Sequence, residues 1–194
     1  MNPTEVKQML EKVGALMTGH FKLSSGRHSD AYVQKQRVFE HPRLTASLGE
    51  ALAARFGAGH GKQAPFDTVV SPAVGAILLG NAVAHTANVR FLYTERENDR
   101  MTLRRGQHLQ PGERVLVIED VITTGGSAAE VVEAAEAHGA HVIGVGALVD
   151  RSSVTQRFHL EALLRLEVKD WDEAECPLCR AGTPLDAPGS RHIS

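Results

Sequence analysis

Val115-Leu116-Val117-Ile118-Glu119-Asp120-Val121-Ile122-Thr123-Thr124-Gly125-Gly126-Ser127 places four aliphatic residues directly before two carboxylates and a run of hydroxyl and glycine residues. A continuous apolar run suits a strand buried on both faces, whereas a strand with one wet face alternates. Residues 127–138 then carry helical spacing, so the segment reads as strand, loop and helix start. At a helix start the backbone N–H groups lack partners and the helix dipole favours an anion. Gly125 and Gly126 let the backbone approach such an anion closely, and Thr123, Thr124 and Ser127 add hydroxyl donors. Glu119 and Asp120 would repel a phosphate, so they need hydroxyl groups, or a hydrated Mg²⁺ that bridges to a diphosphate, as partners. The plainer alternative is that these polar residues only cap a helix.

On either side of this segment, residues 67–71, 89–93 and 142–149 read as further short strands, and residues 74–87 as the helix between the first two. The repeating strand–helix order predicts a doubly wound α/β core with a mainly parallel sheet flanked by helices. Ligands of such sheets bind beyond the carboxyl ends of the strands, here after Val70, Tyr93, Ile118 and Val149. Towards the N-terminus, residues 42–56 form a helix with Leu44, Leu48, Leu52 and Phe56 on one side. An amphipathic helix carrying Val6, Met9, Leu10, Val13, Leu16 and Met17 opens the chain and stops beside Gly19. Between these helices, residues 19–34 read as a Ser- and Gly-rich loop leading into a short strand near Tyr32.

The 194 residues suit one domain, 1–194, with residues 1–40 and about 160–194 as peripheral elements. A net charge of -2 provides no global field for nucleic acid or an anionic membrane, so an anionic ligand must be met locally. Residues 68–89 lack Lys, Arg, Asp and Glu, but Ser71, Pro72, Asn81, His85 and Thr86 break the run, and no membrane span is expected. Two cysteines, Cys176 and Cys179, form no disulfide framework and suit a reducing compartment, the cytoplasm. They could be half of a four-thiolate site shared with a dimer mate, but only two cysteines exist, so no metal is expected there. The ten histidines, among them His20, His28, His60 and His192, show no His-Glu-x-x-His spacing, and exposed or helix-end roles suffice for them.

Residues 119–127 lack the Lys of a Walker A loop and the Gly-x-Gly-x-x-Gly dinucleotide fingerprint. With the strand before them they resemble the phosphoribosyl-diphosphate signature of type I phosphoribosyltransferases. The resemblance implies that Glu119 and Asp120 engage the ribose hydroxyls, and that Val121, Ile122, Thr123, Thr124, Gly125, Gly126 and Ser127 hold the 5′-phosphate. Phe21-Lys22-Leu23-Ser24-Ser25-Gly26-Arg27-His28-Ser29 with Tyr32 is similar to the small N-terminal hood of the orotate branch of that family. Ser71-Pro72-Ala73-Val74-Gly75 sits where the branch has its diphosphate loop, and Asp150-Arg151 closes a following strand. The C-terminal Cys176-Pro-Leu-Cys179 with Pro188-Gly189-Ser190 resembles one subgroup of the branch. The activity implied by this resemblance is transfer of phosphoribose to orotate, giving orotidine 5′-phosphate and diphosphate on the way to UMP, with Thr123, Arg151 and Tyr32 at the base. The same resemblance implies Mg²⁺ held by the substrate with Asp120 nearby, no direct protein ligand to that metal, and a homodimer. Another base, or a sensor of phosphoribosyl diphosphate, remains the alternative.

Residues 95–114 are a 20-residue polar connection, which predicts a lid, with a solvated hairpin as the alternative. Arg96, Arg104 and Arg105 on it would neutralise the leaving diphosphate together with the action of Asp120 at the ribose. The chain departs from the family pattern at three places. Ser24 stands where many members have Lys, Arg104-Arg105-Gly106 replaces the usual Lys and His-Gly of the lid, and Val74 and Gly75 occupy a loop that often holds Lys.

Overall fold

The computed structural model describes residues 1–23, 25–59 and 61–188. Ser24, His60, Gly189, Ser190 and His192 of the sequence reading lie outside the described residues. In chain order the elements are α1 (Pro3–Lys12), β1 (Leu16–Lys22), β2 (His28–Val33), α2 (Gln36–Phe39), α3 (Pro42–Arg55), β3 (Thr68–Pro72), α4 (Ile77–Ala87), β4 (Arg90–Glu97) and β5 (Arg100–Leu103). They continue with β6 (Arg114–Ile122), α5 (Gly126–Ala137), β7 (His141–Asp150), β8 (Leu160–Arg165), β9 (Asp170–Trp171), a 3₁₀ turn (Glu173–Glu175) and α6 (Pro177–Arg180).

Six strands form the main sheet in the order β5-β4-β3-β6-β7-β8, parallel except for β5. From β3 the chain steps through α4 to β4 on one side, then returns to add β6 on the other side of β3. The carboxyl ends of β3 and β6 therefore flank the point where the winding direction reverses, and a crevice opens there. The apolar side chains of β6 divide between two cores, one on each face of the sheet. Leu116 and Ile118 join Val6, Leu10, Leu48, Leu52, Leu79 and Val83 from α1, α3 and α4. Val115, Val117 and Ile122 join Ala128, Val131 and Ala135 of α5 on the opposite face. The doubly wound expectation is met.

Two boundaries differ from the sequence reading. The first helix ends at Lys12, because Gly14 turns the chain at φ 68°, and Leu16 and Met17 belong to β1. Val13 and Leu16 still pack on the core, so the helical spacing ran on through a turn that only the glycine marked. The expected loop over residues 19–34 is instead mostly the antiparallel hairpin β1–β2, to which β9 adds a third strand. The polar connection 95–114 is also more ordered than a lid. Asn98 and Asp99, at φ 47° and 60°, make the two-residue turn that pairs β4 with β5, a signal present in the sequence. Beyond β5, the Gln107 side chain takes up both the N–H and the carbonyl of Tyr93, and Arg90 donates to the His108 carbonyl.

Helices α3 and α4 meet at Gly49, where a Cβ would lie 2.6 Å from Ala82 Cβ and 2.8 Å from its carbonyl carbon. Alanine would favour the helix by about 1 kcal/mol, but a backbone atom cannot yield cheaply. Gly49→Ala should therefore lose about 1–3 kcal/mol net of stability in urea denaturation, whereas an unchanged midpoint would mean that the helices separate freely.

Candidate active site

Strand β6 runs through Glu119 and Asp120, so both carboxylates sit inside the sheet rather than on the loop after it. They are 7% and 2% exposed, a severe environment for two adjacent acids. Each is partly compensated by backbone: the Asp120 N–H donates to Glu119 Oε1 at 2.9 Å, and the Val121 N–H to Asp120 Oδ1 at 2.6 Å. The other Asp120 oxygen forms an ion pair with the Lys35 ammonium. Burial, then the neighbouring Asp120 charge, pushes the Glu119 carboxyl up to about 8.

Lys35 arrives at the start of α2, directly after the hood hairpin. Its ammonium occupies space that the missing side chain of Gly75 leaves open. A Cβ on Gly75 would collide with Asp120 Oδ2 and lie 2.5 Å from Lys35 Nζ. Lys35 therefore puts a cation against the loop after β3, where the family pattern often has a Lys within the loop and this chain has Val74 and Gly75. Sequence reading missed Lys35, since nothing in Gln34-Lys35-Gln36-Arg37 distinguishes one surface cation from another.

Around these groups lies a cavity of about 850 Å³ lined by Tyr32, Lys35, Asp120, Val121, Thr123, Thr124 and Arg151, with Arg27 and Asp170 from the hood side. Thr123, Arg151 and Tyr32, expected at the base, thus share one cavity with Asp120. Burial lowers the Arg151 guanidinium, while Asp170 and Tyr32 oppose that shift. Arg151 makes no ion pair among the described residues; the Asp150 carboxylate instead takes the N–H and hydroxyl of Ser152. An unpaired, half-buried guanidinium facing a cavity suits a planar anion. Ile122 is buried beneath the loop, and Gly125, at φ 82°, caps α5, so Gly126 and Ser127 form its first turn. Glycine suits position 125 because a φ of 82° is a backbone conformation that side-chain-bearing residues rarely adopt.

The arginines of the 95–114 segment are placed elsewhere. Arg96 pairs with Glu130 at 2.9 Å, Arg104 with Glu97 at 3.2 Å and Arg105 with Glu95 at 2.8 Å, and none lines the cavity. Two of the histidines correct the expectation of exposed roles, because His20 and His28 are 3% and 0% exposed beneath the hood.

Against this geometry stand the comparisons with known proteins. Residues 35–173 match the family described as the phosphoribosyl transferase domain. The chain is 49% identical to the orotate phosphoribosyltransferase of Desulforamulus reducens, covering 100% of both chains. It is 47% identical to the orotate phosphoribosyltransferase of Thermotoga maritima over 97% of this chain and 99% of that one. The crystal structure of orotate phosphoribosyltransferase from Aeropyrum pernix superposes with a TM-score of 0.68 at 26% identity, covering 84% of this chain and 94% of that one.

The raised Glu119 carboxyl sets a pH dependence. Between its ordinary value of 4.5 and its folded value of about 8, the folded chain holds a proton that the unfolded chain releases. This contribution to stability is complete below 4.5 and is lost as pH climbs through 8. Glu119→Gln should lack that loss, so the variant's melting temperature should gain on the parent's from pH 5 to about 8.5; parallel curves would place Glu119 in water.

Proposed function

The chain belongs to the phosphoribosyl transferase domain family, and we propose that it transfers phosphoribose from phosphoribosyl diphosphate to orotate. Orotidine 5′-phosphate and diphosphate are the products, a step of pyrimidine biosynthesis. The observation that carries this reading is the common cavity of Asp120, Lys35, Thr123, Tyr32 and Arg151 at the switch point. Full-length likeness to relatives named orotate phosphoribosyltransferase supports the choice of base.

Each part of the donor has a chemical match in or beside this cavity. Asp120 and Glu119 accept from the ribose hydroxyls, which fixes the anomeric carbon relative to the cavity. Residues 123–127 and the first N–H groups of α5 receive the 5′-phosphate. Lys35 offers a cation beside the loop after β3, where diphosphate would lie. On the other side Arg151 pairs with the orotate carboxylate, while Thr123 and Tyr32 offer hydroxyls to its edge. A ring nitrogen then bonds to the anomeric carbon as the bond to diphosphate breaks, and the electron pair leaves with diphosphate. The ring N–H proton is lost as the new bond forms, to the leaving diphosphate or to water, so the chain need not supply a strong base.

Mg²⁺ fits this site as a hydrated cation, since the hard oxygens of Asp120 suit it while Lys35 already occupies the direct position beside that carboxylate. When bound with the donor it supplies charge neutralisation to the leaving diphosphate. Arg96, Arg104 and Arg105 would add to that only after leaving their glutamate partners, and a neighbouring copy in a homodimer is the setting that would let them do so. A reducing compartment, the cytoplasm, suits the two free cysteines.

The test mixes the full chain with orotate, phosphoribosyl diphosphate and Mg²⁺ and follows orotate absorbance, with a chelator control. Magnesium-dependent loss of orotate is expected, and tight donor binding without any loss would reassign the base. Removing a hydrogen bond to a charged group costs about 1.5–3 kcal/mol, so Arg151→Ala should raise the KM for orotate roughly 10- to 100-fold and leave donor binding nearly unchanged. An equal loss for both substrates would remove Arg151 from the base side.

A further inference from the structure

Four side chains outside the cavity converge beneath the hood: His20 on β1, His28 on β2, and Cys176 and Cys179 at the start and within α6. Their ligand-type atoms all lie within 4.8 Å of one another. His20 Nε2 is 2.9 Å from His28 Nδ1, 3.5 Å from Cys176 Sγ and 3.7 Å from Cys179 Sγ. Cys179 Sγ is also 3.2 Å from His28 Nδ1. For a tetrahedral ion with bonds of about 2.0 Å to nitrogen and 2.3 Å to sulfur, the edges are roughly 3.3 Å for N···N and 3.5 Å for N···S. Those four separations lie within about 0.4 Å of the edges.

Hydrogen bonding alone does not explain the arrangement. His20 Nδ1 lies 2.9 Å from the Thr183 carbonyl, which can only accept, so the proton is on Nδ1 and the Nε2 lone pair faces the cluster. His28 Nδ1 would then have to donate to that lone pair, which leaves no free acceptor among the imidazole atoms facing the thiols. His28 Nε2 is buried without a partner among the described residues. With a cation at the centre both imidazole lone pairs and both sulfurs point at one charge, and the Thr183 carbonyl orients His20 from behind, as such ligands require.

We propose that His20, His28, Cys176 and Cys179 bind one Zn²⁺ in a structural Cys₂His₂ site. The S₂N₂ donor set selects zinc among common divalent ions, and four protein ligands leave no open position for chemistry. Two thiolates balance the ion's charge, so the assembly is neutral where His20, His28 and Cys176 are buried, with Cys179 at its exposed edge. A redox pair between Cys176 and Cys179 would account for neither buried imidazole. The ion fastens the C-terminal segment to the hairpin that carries Arg27 and Tyr32, alongside the pairing of Asp186 with the backbone of His20 and Lys22.

The test uses the full chain, purified without chelator or histidine tag, and reads metal rather than activity, so its outcome is independent of which base the cavity takes. Elemental analysis should find about one zinc per chain, lost in Cys176→Ser/Cys179→Ser. Because that variant could misfold, the unaltered chain is also stripped under reducing conditions and titrated with Co²⁺. Tetrahedral cobalt bands with thiolate charge transfer, saturating at one equivalent and abolished by Zn²⁺, are expected. Purified chain without zinc whose reduced form gives no such spectrum, or zinc content unchanged by the double substitution, overturns the proposal.

Discussion

The burial of two consecutive carboxylates at the end of β6 is the constraint around which the rest of the site is arranged. Glu119 and Asp120 lie inside the sheet, where ionised oxygens lose their hydration. Asp120 forms an ion pair with Lys35, and Glu119, under burial and the neighbouring Asp120 charge, holds its proton to a much higher pH. Gly75 has no side chain because the ion pair fills that volume, and the loop after β3 is thereby drawn against β6. The crevice of the switch point owes its chemical character to this contact, since it brings a cation and a carboxylate to one wall.

The core of the fold could be read from the chain because its strands are buried on both faces, and a short continuous run such as residues 115–118, followed at once by charges and glycines, suits little else than a central strand. The helix–loop boundary at residues 125–127 was equally plain, since glycine and hydroxyl residues announce it. What stayed hidden depended on distance along the chain. Lys35 and Gly75 meet Asp120 from positions far apart in sequence, and His20 and His28 find Cys176 and Cys179 only after the hood has folded. Local spacing could not reveal these metal ligands for the same reason. The sequence offered two cysteines as half a site, and the missing half was in histidines read as surface groups.

The segment 95–114 shows a different limit. Its length and polarity suggested a lid, but the turn chemistry of Asn98-Asp99 and the Gln107 side chain hold it as an ordered hairpin and loop. Its arginines face glutamates, so their charge is neutralised locally until another anion competes. Thr123, Tyr32 and Arg151 were legible because each stands beside a recognisable stretch, and folding brings all three to one cavity.

Only Val33 and Gln34 separate Tyr32, which faces the cavity from the hood, from Lys35, which grips Asp120. Three residue steps reach roughly 10 Å when fully extended, so the link holds almost no slack. Lengthening the chain there would let the two halves of the cavity drift apart, while the exposed Asn98-Asp99 turn could take extra residues without disturbing either half. In the history of this chain, insertions should accumulate at the tip of one hairpin and be purged from the two-residue bridge beside the other.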